Sequence, residues 1–322
     1  MVRRRLTIAV VAAVLATAVT ALGAGHATTE TTPTPLHAQP ALPSVSAPDA
    51  SSSIGRPAPD LPRSTGRHAR TAASRAGSPP ASLEPDLVLL GTWTVRYKVG
   101  PENGHGSNVA LPLEAIDGMV LEPGATFEFW RAVGEVSRRT GYRRGAVIAG
   151  DHVDPDGALA GGICTASTAV FNAAARAGLE IVERRPHGGY LPKYPLGMDA
   201  AVSKGDGSRQ TVAFRNDTPV RILIRTVSDP GVARVDLYGA TPLGRTVELG
   251  QPVLRDRQHA HDRRVATRSL PQGERKRSQP SSDGMTVSVT RIVRDAAGHV
   301  LHRDRWISRY RPLRGLVLVG TG

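Results

Sequence analysis

Ala160-Gly161-Gly162-Ile163-Cys164-Thr165-Ala166-Ser167-Thr168-Ala169-Val170-Phe171-Asn172-Ala173-Ala174-Ala175-Arg176-Ala177-Gly178 is the stretch on which the reading of the fold turns. Two glycines and an isoleucine deliver the only cysteine of the chain, and small residues with apolar side chains at helical spacing follow as far as Gly178. The pattern predicts a loop feeding a helix that begins at Cys164. Unpaired N–H groups and the positive end of the helix dipole favour a thiolate there, which makes the sulfur a usable nucleophile. The competing reading is a small core cysteine among glycines and alanines.

Upstream of this stretch, Arg3, Arg4 and Arg5 precede an apolar run from Leu6 to Leu22, with Gly25 and Ala27 behind it. That is the layout of a secretory signal peptide over 1–27, and an uncleaved N-terminal anchor has the same layout. Either way the remainder is expected outside the cytoplasm, where an unpaired thiol is oxidised unless it is buried or used. Residues 28–83 are Pro, Ala, Ser and Thr with scattered arginines, too poor in large apolar side chains to offset their ordering entropy, and are expected to be a disordered linker.

The net charge of +13 would suggest nucleic acid inside a cell. Beyond the membrane the acidic partners in reach are lipid headgroups and wall polymers, so peptidoglycan or another anionic wall polymer is the expected partner and nucleic acid is set aside. The membrane enters only through the N-terminal segment. Oligomeric state is not legible.

The ordered part reads as α+β. Leu87 to Tyr97 is a strand, Asn108 to Val120 a short helix, and Leu121-Glu122-Pro123-Gly124 a turn. Asp154-Pro155-Asp156-Gly157 marks a turn before the glycines. Asp151, His152, Asp154 and Asp156 fit no complete ligand set, so a hairpin is expected there, and neither metal nor cofactor. After the cysteine helix, strands are expected at Leu179–Arg184, Ala200–Val202, Thr211–Phe214, Val220–Ile224 and Ala233–Tyr238. The fold class is a cysteine-bearing helix packed on an antiparallel sheet (84–240), then a basic connection (241–269) and a small all-β module (270–322) whose last strands are Thr286–Val293, Arg305–Tyr310 and Leu316–Val319.

Within this frame Cys164, His187 and Asp199 stand in the order nucleophile, base, orienter. The glycines at 161 and 162 allow close backbone approach, so N–H groups around Cys164, including those of Gly161, Gly162 and Thr165, form a candidate oxyanion hole. Arg139, in the basic run Arg138 to Arg144, is a candidate clamp for a substrate carboxylate. Each has a plainer reading: His187 as a turn histidine, Asp199 as a turn cap, Arg139 as a solvated loop residue. A metal-dependent hydrolase built on His152, His187 and Asp199 is a third possibility.

From about Leu90 to Gly239 the chain resembles the VanW family, whose name comes from its association with glycopeptide-resistance gene clusters. The matching pieces are Leu121 to Gly124 with Phe127 and Phe129, Arg139-Thr140-Gly141-Tyr142, Gly161 to Cys164 with Ser167-Thr168, Leu179 to Arg184, His187, Gly197, Asp199-Ala200 and Phe214-Arg215-Asn216. The resemblance implies a cell-envelope role and, as for some members, cysteine-dependent L,D-transpeptidase chemistry on peptidoglycan stems with Cys164, His187 and Asp199 as the reacting set. It leaves as the alternative a non-catalytic wall-binding protein. The chain departs from the family at Ala160, Thr165 and Gly188, where glycine, glutamine and serine are common. From Leu270 to Thr321 it resembles a G5 domain, a small β module of surface proteins thought to attach to wall sugars.

Overall fold

The computed structural model describes residues 87–99, 105–205 and 208–322. The signal and linker expectations for 1–27 and 28–83 lie outside these residues. Among those described, no helix is long and apolar enough to cross a membrane.

The first part of the chain runs β1 (Val88–Arg96), α1 (His105–Ile116), β2 (Val120–Leu121), β3 (Thr126–Glu128), α2 (Phe129–Val133), β4 (Arg144–Ala149), β5 (His152–Leu159) and α3 (Cys164–Arg176). It continues with β6 (Glu180–Glu183), β7 (Ser203–Gly205), β8 (Ser208–Gln210), β9 (Ala213–Arg215), β10 (Ile222–Val227) and β11 (Val232–Gly239). Then come β12 (Thr246–Leu249), β13 (Val253–Gln258), β14 (Arg263–Thr267), β15 (Arg275–Gln279), β16 (Gly284–Arg294), β17 (Val300–Tyr310) and β18 (Leu316–Gly320). The protein is thus mostly β with few helices, and its strand pairs are antiparallel apart from β14 with β18.

One sheet has the order β1-β11-β10-β2 and another β3-β9-β6. Apolar side chains alternate on the inner face of this material, with Val95, Ile222, Ile224, Val235 and Leu237 buried. Helix α3 lies against β1 and β11. Its run of alanines lets it come close: a Cβ on Gly91 of β1 would sit 2.5 Å from the Ala173 carbonyl oxygen, so that contact requires glycine.

The C-terminal strands close over the other end of α3. Arg291 of β16, fully buried, donates from Nη1 to the Ala175 carbonyl at 2.9 Å and from Nε to Asp304 at 2.7 Å. Arg245 donates to the Gly178 carbonyl at 2.7 Å and to Asp217 at 3.1 Å. Two guanidinium groups therefore face the carbonyl end of α3 and its exit turn, where the helix dipole is negative.

Three expectations need correction. Residues 241–269 are not a plain connection but carry β12, β13 and β14, which pair with β16 and β18. The side chains of β13 are exposed on both faces, so no apolar alternation announces the strand. The turn expected at Asp154–Gly157 lies at Gly150 and Asp151, with Gly150 at φ 59°, and Asp154–Gly157 falls within β5. Ala200-Ala201-Val202 is not a strand, because its backbone bonds go to α3 side chains and a loop: the Ala200 carbonyl accepts from Ser167 Oγ at 2.7 Å, its amide donates to Thr168 Oγ1 at 3.0 Å, and the Ala201 amide donates to the Arg185 carbonyl at 2.8 Å.

Candidate active site

Cys164 is the first residue of α3, half-buried, and its approach is fixed by backbone contact. A Cβ on Gly161 would lie 2.1 Å from the Gly145 carbonyl oxygen, and one on Gly145 would lie 2.5 Å from that of Gly161. Buried Asn108 of α1 clamps the same crossing, donating to the Arg143 and Gly161 carbonyls at 2.9 Å each and accepting from the Arg143 amide at 2.9 Å. Ala160 is in the left-handed region at φ 60°.

The loop after β6 brings in the next two groups. Asp199 is 2 % exposed, and its Oδ2 accepts from the His187 main-chain amide at 2.7 Å and pairs with His187 Nδ1 at 2.6 Å. Its Oδ1 accepts from Arg184 Nη2 at 2.9 Å and from the Tyr310 hydroxyl. With Nδ1 engaged, Nε2 is the ring nitrogen left to act on Cys164, whose thiol is placed to donate to the Val202 carbonyl at 3.5 Å. The Val202 amide also donates to Sγ, at 3.4 Å.

Charge follows from this geometry. Burial alone would raise the Cys164 pKa, but the neighbouring His187 and its charge, the Val202 contact and the Lys193 charge outweigh it and hold the thiol below its ordinary value. Burial alone would lower the His187 pKa, yet Asp199 and the thiolate push it up to about 9. Burial raises the Asp199 pKa, but His187 and Arg184 bring it below the usual carboxylate range. The shifts of all three groups act in one direction, toward a thiolate beside an imidazolium braced by a carboxylate.

Two further residues surround the pair. Lys193 Nζ donates to Thr165 Oγ1 at 3.1 Å, and burial brings its pKa down to about 8 despite the nearby thiolate. The Tyr194 ring stacks on His187, and its hydroxyl lies 3.3 Å from Thr165 Oγ1. Thr165 thus ties the helix start to the loop between His187 and Asp199.

The backbone donors are divided. The amides of Gly161, Ile163, Thr165 and Ala166 bond to the carbonyls of Ala158, Ala160, Gly162 and Ile163. Those of Gly162 and Cys164 have no such partner among the described residues. Of the expected oxyanion donors, Gly162 therefore presents a spare amide, whereas Gly161 and Thr165 have theirs engaged.

The pair opens into a cavity of about 1740 Å³ between the β4–β5 hairpin, the loop bearing His187, and the C-terminal strands. Arg96, Lys98, Arg185, Lys193, Lys204, Arg309 and Arg311 line it, against one carboxylate, Glu135. Arg139 does not line it; its exposed guanidinium pairs with Glu135. His152 pairs with Asp151 at 3.3 Å, and among the described residues no group of three or more His, Cys, Asp or Glu is arranged to hold a metal ion.

The sequence reading thus finds three residues that the structure brings together and misses Arg184, Lys193, Tyr194 and Tyr310. Lys193 and Tyr194 carried a usable signal, an aromatic and basic run between the proposed base and its carboxylate. Tyr310 carried none, since it stands 111 residues from Asp199.

A cysteine at a helix start, close to a histidine and a buried aspartate, is an arrangement able to support nucleophilic chemistry at the sulfur. Residues 104–238 match the family model described as VanW like protein. Two relatives match part of the chain. The uncharacterized protein YoaR of Bacillus subtilis is 35% identical over 146 residues, 45% of this chain and 46% of that protein. The Vancomycin B-type resistance protein VanW of Enterococcus faecalis is 29% identical over 118 residues, 34% of this chain and 40% of that protein. Each match spans less than half the relative's length.

Among solved structures, the IgA1 protease G5 domain is 16% identical, with a TM-score of 0.16 over 24% of this chain and 92% of that one. The HP0197-G5 structure is 19% identical, with a TM-score of 0.13 over 24% and 97%. At those scores neither likeness carries an argument about the C-terminal strands.

Proposed function

We propose that the protein is an exported cell-envelope enzyme that cleaves and re-forms amide bonds of peptidoglycan stem peptides through a thioester on Cys164. The observation that carries this reading is the grouping of the Cys164 thiol, His187 and Asp199, in which the charge of the histidine favours the thiolate and the carboxylate holds the imidazole.

The thiolate attacks the carbonyl carbon of a stem-peptide amide, and negative charge moves to the carbonyl oxygen. The amides of Gly162 and Cys164, which bond to no backbone carbonyl among the described residues, are the donors this reading assigns to it. The carbon–nitrogen bond breaks as His187 passes its proton to the leaving amine, which leaves an acyl thioester. An incoming amine then gives its proton to His187, attacks the thioester and forms the new amide, returning the thiolate. Water in its place gives hydrolysis.

The cavity supports an anionic substrate. Stem peptides carry carboxylates, and a wall with several arginines and lysines and a single acid, itself neutralised by Arg139, attracts them. Attachment of the C-terminal strands to wall glycan, and a link to glycopeptide resistance, are parts of the same proposal and rest on the resemblances given above.

Incubation of purified peptidoglycan with wild type and with Cys164→Ala, followed by separation of the muropeptides, tests the reading. New cross-links or shortened stems are expected with wild type only. Identical muropeptide profiles would overturn it.

A further inference from the structure

Strand β17 lies in the C-terminal part of the chain, yet it reaches into the triad. Ile307, Arg309 and, just past its end, Arg311 line the cavity. The intervening residues point the other way: Trp306 meets Phe171 of α3 edge-on at 5.1 Å, and Ser308 and Tyr310 are buried. Ser308 Oγ accepts from Arg184 Nη2 at 3.0 Å. The Tyr310 hydroxyl accepts from the Gly197 amide at 3.2 Å and donates to Asp199 Oδ1. The Arg311 amide donates to the Gly188 carbonyl at 2.8 Å, one residue from His187.

These contacts divide the Asp199 carboxylate cleanly. Oδ2 serves His187, through its main-chain amide and its ring. Oδ1 is held from behind by Arg184 and Tyr310, and Arg184 is itself held by Ser308. A buried carboxylate that loses a donor is free to turn or take up a proton, and either change weakens its hold on the imidazole.

We propose that the C-terminal β region is part of the catalytic apparatus, with Tyr310 as a positioning residue that fixes Asp199, and through it His187, so that ionisation of Cys164 depends on this region being docked. The inference rests on the reading of Cys164 as the nucleophile. The charged and titratable groups facing the Cys164–His187 pair are Asp199, Lys193 and Tyr194, with Arg184 and Tyr310 behind the carboxylate. Arg309 and Arg311 of the C-terminal region stand on the cavity wall, Arg311 against Gly188, and Tyr310 is the group of that region that touches the Asp199 carboxylate.

The test uses the full chain and needs no wall substrate. Iodoacetamide alkylation of Cys164 is followed from pH 5 to pH 10 for wild type, Tyr310→Phe and Trp306→Leu, with urea unfolding of each. Tyr310→Phe is expected to raise the alkylation midpoint by about one pH unit, or about tenfold slower alkylation below both midpoints. Trp306→Leu loosens the same packing without touching the triad and is expected to lower the urea midpoint while leaving the alkylation midpoint in place. If Tyr310→Phe does not fold, Ser308→Ala is read the same way, with a smaller upward shift expected.

An unchanged alkylation midpoint in the folded variant overturns the inference, and so does an equal shift in Trp306→Leu. A wild-type midpoint at the ordinary thiol value of about 8.5 would instead overturn the nucleophile reading itself, and this inference with it. A depressed wild-type midpoint that Tyr310→Phe leaves in place overturns the positioning role alone.

Discussion

Tyr194 lies face to face with the His187 imidazole, ring centroids 5.2 Å apart and planes 19° from parallel. The stack fixes the plane of the histidine while Asp199 fixes its rotation, so the ring nitrogen facing Cys164 is set by two independent contacts. Tyr194→Phe keeps the stack and loses only the Thr165 contact, and its stability is expected within about 1 kcal/mol of wild type. Tyr194→Ala empties the space and is expected to cost about 3 kcal/mol and to slow alkylation of Cys164 at pH 6. Urea unfolding and alkylation rates check both. An alanine variant that alkylates as fast as wild type would show that the stack does not matter.

The His187 titration has a definite sign. Its pKa of about 9 depends on both Asp199 and Cys164, so Cys164→Ala, which removes the thiolate, is expected to lower it. An NMR titration of the imidazole reads this directly. Because the folded pKa stands above the unfolded value of about 6.5, the associated stability is fully present below that pH and is lost as pH rises through about 9. The stability difference between wild type and His187→Gln should therefore shrink over that window. A histidine titrating near 6.5 in wild type would contradict the ion pair.

Gly145 and Gly161 leave no room for a side chain at their crossing. Either Gly145→Ala or Gly161→Ala is expected to destabilise the protein by about 1–3 kcal/mol and to displace Cys164. The double variant is expected to cost less than the sum, since one movement relieves both clashes. Additive losses in urea unfolding would show that the two sites are independent.

Ala160 carries a left-handed backbone conformation that favours glycine. Ala160→Gly removes that strain and adds some freedom to the unfolded chain, so a net gain of about 1 kcal/mol or less is expected. A loss of stability in thermal unfolding would place the strain elsewhere.

The parts legible in the sequence were those written locally. Cys164 follows glycines whose crossing demands them, and the alanines after it are small because β1 approaches within contact of Ala173 and Ala177. Strands with one buried face, such as β11, showed their alternation. β13, exposed on both sides, showed nothing. Ala200 to Val202 looked like a strand because it is apolar, but its backbone bonds go to Ser167, Thr168 and Cys164. Arg139 looked like a substrate clamp because it is basic and matches the family, while its charge is taken up by Glu135. Tyr310 was illegible because its role exists only once β17 packs against the loop of Asp199.

The central claim, a thioester on Cys164, is tested most directly by intact-mass measurement after mixing the protein with a purified muropeptide mixture and quenching in acid. Wild type is expected to gain the mass of an acyl stem fragment, mapped to Cys164, and Cys164→Ala to gain nothing. Muropeptide turnover that proceeds equally in both proteins, with no adduct on Cys164, would contradict it.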